Sequence, residues 1–90
     1  MFWDDVSYVL ASRNRKAIIL KLEYPKTPTL LAGNLNLNLA NVSRTLSELD
    51  EAGLVVCLTP KKRVGRIYSL TNKGKKILSE LRKLDQDRTN

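Results

Sequence analysis

Leu35-Asn36-Leu37-Asn38-Leu39-Ala40-Asn41-Val42-Ser43-Arg44-Thr45-Leu46-Ser47-Glu48-Leu49-Asp50-Glu51-Ala52-Gly53-Leu54-Val55 is the stretch on which the fold turns. Asn36 is suited to stop a preceding helix in the left-handed conformation, which asparagine tolerates better than most residues. Leu37 then turns the chain inward, and Asn38 has the side chain to cap a new helix from Leu39 to about Ala52. Gly53 ends that helix. Leu39, Val42, Leu46 and Leu49 are spaced 3, 4 and 3 apart and form an apolar stripe for the core. At ~100° per residue, Ala40, Asn41, Arg44, Ser47, Glu48 and Glu51 fall on the opposite side. The first turns of that outer face are small and polar, with Ser43 and Thr45 on the flanks. Asparagine and arginine form bidentate pairs with adenine and guanine edges in a major groove. The same face also fits a plain solvated surface, with Arg44 paired to Glu48 one turn on.

Upstream, Phe2 to about Ser12 reads as a short helix, with Phe2, Val6, Val9 and Leu10 at helical spacing and Asp4 and Asp5 in the favoured first turn. Asn14 is the expected cap of a second helix from Arg15 to about Glu23. Its apolar face is Ala17, Ile18, Leu20 and Leu22, with Ile19 at the margin. Tyr24-Pro25-Lys26-Thr27-Pro28 interrupts the chain, since each proline lacks a backbone donor. Thr27 caps a third helix that has Pro28 at its first position and runs to about Leu35. The tight turn at Asn36 and Leu37 thus joins a short helix to a longer one.

Downstream the period changes. Leu54 to Thr59 is β-branched and apolar, Pro60-Lys61-Lys62-Arg63-Val64-Gly65 is a turn, and Arg66 to Leu70 is a second strand, which together read as a hairpin. Thr71 caps a last helix carrying Ile77, Leu78, Leu81 and Leu84. The polar tail from Asp85 to Asn90 is expected to fray. Lys61 to Lys76 holds seven basic residues and no acid. Four of the seven crowd the hairpin turn, where they suit phosphate contact. Solvated lysines guarding a strand edge are the plainer reading of the same cluster.

Sixteen Lys and Arg against nine Asp and Glu give the 90-residue chain a net charge of +7, a surface that attracts polyanions. The length fits one domain with little room for an enclosed substrate cavity. Histidine is missing and Cys57 is the single cysteine. The commonest general base, the commonest metal ligand and any thiolate cluster are therefore excluded. No enzyme, cofactor or metal site is expected. No apolar run approaches the ~20 residues of a membrane span. The acidic, aromatic N-terminus does not read as a secretory signal, so a cytoplasmic location is expected.

The residues Leu35-Asn36-Leu37-Asn38, Val42-Ser43-Arg44-Thr45-Leu46 and Leu49-Asp50-Glu51-Ala52-Gly53-Leu54-Val55 resemble the winged helix-turn-helix regulators of the ArsR and MarR type. Tyr68-Ser69-Leu70-Thr71, followed after two residues by Gly74, is a second match. Asn36 and Asn38 stand where those regulators typically have glycine and serine. The resemblance implies a mainly α fold with a small β-hairpin, a winged helix-turn-helix with extra N- and C-terminal helices. Residues 1–12 would be the N-terminal helix, 13–71 the winged core and 72–85 the C-terminal helix of one DNA-binding domain. It also implies that Asn38, Ala40, Asn41, Ser43, Arg44 and Thr45 belong to a recognition helix. Lys61, Lys62, Arg63 and Arg66 would be wing contacts, and Arg13 and Arg15 flanking phosphate contacts.

ArsR-type metal sensing needs paired Cys or His, which this sequence lacks. MarR-type effector pockets form between the domain and long dimerisation helices, which a 90-residue chain largely lacks, and the sequence shows no effector. The resulting expectation is a regulator that binds double-stranded DNA in a sequence-specific way. It would act as a homodimer through its terminal helices, with Ile77, Leu81 and Leu84 as a short seam joined by Phe2, Trp3 and Val6. The alternative is a winged-helix module that binds protein or RNA. Trp3 and Tyr68 are expected to pack, and Cys57 to be a small buried strand residue.

Overall fold

The computed structural model describes residues 2–89, with side chains through Gln86; Met1 and the end of the tail, Asn90, lie outside the described residues. In chain order the elements are α1 (Phe2–Leu10), α2 (Arg13–Lys21), α3 (Pro28–Leu35), α4 (Leu39–Glu51), β1 (Val55–Cys57), β2 (Tyr68–Leu70) and α5 (Asn72–Thr89). This is the order read from the sequence, with shifted boundaries that have local causes.

The caps around α3 and α4 follow the expected chemistry. The Thr27 hydroxyl accepts the N–H of Leu30 at 3.1 Å, and Pro28 follows at the start of the helix. Asn36 ends α3 at φ 55°, ψ 45°, and Gly53 ends α4 at φ 77°. Asn38 Oδ1 accepts the N–H of Asn41 at 2.8 Å and so starts α4. Helix α2 departs from expectation. Ser12, extended at φ −131°, is its cap, and its hydroxyl accepts the N–H of Arg15 at 3.2 Å. Asn14 therefore lies inside the first turn. Ile19 is fully buried beside Ile18, because α2 packs against α1, α3, α4 and α5 at once. A helix with neighbours all round buries more than one stripe.

β1 and β2 pair antiparallel in the register Val55↔Leu70, Val56↔Ser69 and Cys57↔Tyr68. Both strands are shorter than expected, although beyond them the Leu58 N–H still donates across the hairpin to Ile67 O at 2.7 Å. The Leu54 N–H donates to Leu49 O, and Leu54 O accepts from the Thr71 N–H, at 2.9 and 3.1 Å. At the far end the Thr59 hydroxyl accepts the Ile67 N–H at 3.0 Å. Lys26 forms a bridge to Tyr68 along the outer edge of β2, with backbone bonds of 3.0 and 2.9 Å. Tyr68 is half-buried and packs on the core, and Cys57 is half-buried.

The core gathers Val6 and Val9 from α1, Ile18, Ile19 and Leu22 from the α2 region, and Leu31 from α3. Val42, Leu46 and Leu49 come from α4, Leu54, Val55 and Leu70 from the hairpin, and Ile77, Leu78 and Leu81 from α5. Ile77 and Leu81 are essentially unexposed, so they close this core and cannot form the expected seam between two copies. Trp3 is 61% exposed and meets Phe2 edge-on rather than packing inside. Helix α5 continues to Thr89. No proline or glycine interrupts residues 82–89, and Lys16 Nζ lies 3.5 Å from Asp85 on this stretch.

Candidate nucleic-acid interface

Helix α4 turns Ala40, Ser43, Arg44 and Ser47 to solvent, with Asn41 half-exposed among them. Arg44 Nη2 donates to Asn41 Oδ1 at 2.8 Å. The two side chains best suited to base edges thus hold each other in place at the N-terminal end of the helix. Arg44 does not pair with Glu48. Glu48 instead meets Arg15 Nη1 at 3.4 Å, which offsets the acid nearest this face. Thr45, expected on the flank of the face, is buried at 3% exposure, and its hydroxyl donates to Asn41 O at 2.8 Å. At ~100° per residue it follows Val42 by three positions and so falls on the core side. A threonine there is tolerated because its own helix satisfies the hydroxyl.

Arg15 is similarly held within the molecule. Its Nε donates to Tyr8 O at 2.8 Å, and its guanidinium carbon lies 3.9 Å from the centre of the Tyr8 ring. With Glu48 on the other side, Arg15 joins α1 to α4. Arg13, two residues earlier, is exposed. Asn38 is exposed but its side-chain oxygen serves the α4 cap.

The loop between β1 and β2 exposes Lys61, Lys62, Arg63, Val64, Gly65 and Arg66 together. Gly65 takes φ 71°, a conformation that suits glycine at the tip of this turn. Arg66 turns back on the loop, its Nε donating to Lys62 O at 2.7 Å. Among the described residues the carboxylates of Asp5, Glu23, Glu48 and Asp85 are paired with Lys73, Arg82, Arg15 and Lys16. None of these pairs involves the loop, so its positive charge faces solvent undiminished.

The loop and α4 border one cleft of about 420 Å³, lined by Ser43 and Ser47 of the helix, Arg63 and Arg66 of the loop, and Pro28 and Thr29 of α3. Leu39, expected in the core, stands on the rim of this cleft at 50% exposure. Neither Thr29 nor Leu39 was legible as part of this surface. The apolar period of α4 assigns Leu39 to the core, and Thr29 reaches the cleft only through packing of α3 on α4. Lys73 at the start of α5 lies apart from the cleft, bonded to Asp5 and Ala52 O at 3.0 and 3.2 Å.

A family model described as winged helix-turn-helix matches residues 13–89. No curated protein matches the chain. Among solved structures, the chain is similar to a MarR family transcriptional regulator from Silicibacter pomeroyi, at 27% identity and TM-score 0.73 over 96% of this chain and 60% of that one. It is similar to NMB1585, a MarR family regulator from Neisseria meningitidis, at 25% identity and TM-score 0.77 over 87% and 57%. It is also similar to a variant of ZitR from Lactococcus lactis, at 26% identity and TM-score 0.75 over 84% and 53%. The chain spans little more than half the length of these structures.

Proposed function

The chain belongs to the winged helix-turn-helix family, and from that premise we propose that it is a transcription regulator that binds double-stranded DNA with sequence preference. The observation that carries this reading is that α4 and the loop between β1 and β2 border one cleft, through Ser43 and Ser47 on the helix and Arg63 and Arg66 on the loop. On one side is a helix face of small residues with Asn41 and Arg44 at its start. On the other is a loop whose Lys61, Lys62 and Arg63 have no carboxylate partner among the described residues. A helix in the major groove with a cationic loop beside it divides the work in the usual way. Base edges specify, while phosphates position and supply most of the affinity.

In this reading Ala40, Asn41, Ser43 and Arg44 approach base edges. Lys61, Lys62 and Arg63 meet phosphates, and Arg13 supports them from the start of α2. Asn38 acts by starting the helix, Arg66 by shaping the loop, and Thr45 and Arg15 by holding α4 from within. No step of this reading calls for catalysis, a metal or a cofactor.

The reading includes a homodimer through the terminal helices. Its support is the exposed apolar side chains of α1, namely Trp3, Tyr8 and Leu10. A two-fold pair would match an inverted repeat in DNA.

Titration of duplex binding with salt tests the reading. For about four phosphate contacts the affinity falls roughly a hundredfold between about 50 and 200 mM salt. Absence of duplex binding at low salt overturns the DNA reading and favours a module that binds protein or RNA.

A further inference from the structure

The exposure of Leu39 sets it apart in α4. It opens the helix directly after the Asn38 cap. It also begins the apolar stripe whose other members, Val42, Leu46 and Leu49, are at most 1% exposed, yet Leu39 itself is 50% exposed and does not join the core. Core packing therefore does not explain a leucine here. On the α4 side its exposed neighbours are small, while Val64 of the loop between β1 and β2 is the other exposed apolar side chain lining the cleft. Ser43 and Ser47 share the cleft wall with it, and Ala40 is exposed beside it. The first turn of such a helix is the part that meets base edges. In the major groove the apolar feature among the four standard bases is the thymine 5-methyl group.

We propose that Leu39 is a specificity-determining residue that selects thymine at one position of the DNA site by covering its 5-methyl group. The inference rests on the DNA reading above. It adds a preference that Asn41 and Arg44 cannot supply, since their hydrogen bonds address adenine and guanine. It involves no new charge, so it contributes to discrimination and leaves the salt dependence as it is.

The test uses the full chain and the duplex it enriches most strongly from a random pool. Each thymine of that duplex is replaced singly by deoxyuridine, which removes one methyl group and keeps the hydrogen-bonding pattern. One replacement is expected to weaken the unaltered protein about fourfold, the worth of one buried methyl group. Leu39→Ala should bind the thymine duplex more weakly and lose this sensitivity, whereas Leu39→Met should retain part of it. Far-UV circular dichroism establishes that both variants are folded, as the half-exposed position leads one to expect.

If no deoxyuridine replacement distinguishes the unaltered protein from Leu39→Ala, the proposal is overturned while DNA binding stands. Uniform weakening of every duplex by Leu39→Ala assigns the side chain to the sugar–phosphate strand and likewise overturns it. If no duplex is bound, the failure belongs to the DNA reading, and the inference falls with it.

Discussion

Gly74→Ala is expected to lower the unfolding free energy by about 3 kcal/mol or more, a loss at the upper end of overpacking effects. Gly74 lies buried in the first turn of α5, where a β-carbon would come within 2.1 Å of Leu54 O and 3.2 Å of the Leu70 side chain. The first of these is a backbone atom with little freedom to yield. Leu54 O accepts the Thr71 N–H, and the Thr71 hydroxyl both donates to Gly53 O at 2.7 Å and accepts the Gly74 N–H at 3.1 Å. One methyl group therefore pushes apart the end of α4, the start of β1 and the start of α5 together. For a domain of this size the melting temperature should fall by roughly 15 °C. Thermal unfolding followed by circular dichroism measures it. A fall of only a degree or two would mean that α5 is free to slide away from Leu54, and that the packing described above is not what holds the last helix.

The second large effect concerns the loop between the strands. Replacing Lys61, Lys62 and Arg63 together by alanine is expected to weaken duplex binding by one to two orders of magnitude at about 100 mM salt, and to reduce the salt slope by about 3. All three residues are exposed, and none is engaged in an ion pair among the described residues, so folding stability should stay within about 0.5 kcal/mol of the original. Arg66 is left in place because its bond to Lys62 O shapes the loop and is made to the backbone, which alanine retains. Fluorescence anisotropy over a salt series gives both the affinity and the slope. Unchanged affinity in the triple variant would remove this loop from the interface.

Local chemistry was the legible part of this chain. Thr27 and Pro28, Asn36, Asn38, Gly53 and Thr71 each act on backbone groups within a few residues, and each stands in the structure where its side chain or its φ preference puts it. Near α2 two local chemistries competed. Both Ser12 and Asn14 are good caps, and it is the Ser12 hydroxyl that accepts the Arg15 N–H and starts the helix. What sequence period cannot supply is the set of neighbours. Leu39 fits the apolar stripe of α4, yet it stays half-exposed in the cleft beside the loop. Thr45 looks like a groove-facing hydroxyl until the core side of α4 claims it.

Charge was similarly divided. The cationic run of the loop was plain from composition, and it faces solvent as its spacing implied. Arg15 looks like a phosphate contact from sequence, because nothing in the spacing reveals that Tyr8 and Glu48 converge on it from two other helices. Ile77 and Leu81 have the spacing of a seam between copies. That spacing serves equally for closing a small core, and the core takes both residues.

The central claim is that the outer face of α4 reads DNA sequence, and selection of bound duplexes from a random pool by the unaltered protein and by Arg44→Ala tests it most directly. One enriched motif is expected for the unaltered protein, arranged as an inverted repeat, with loss of preference at a guanine of that motif in Arg44→Ala and nonspecific affinity changed little. An identical motif in both selections, or no enrichment in either, would contradict it.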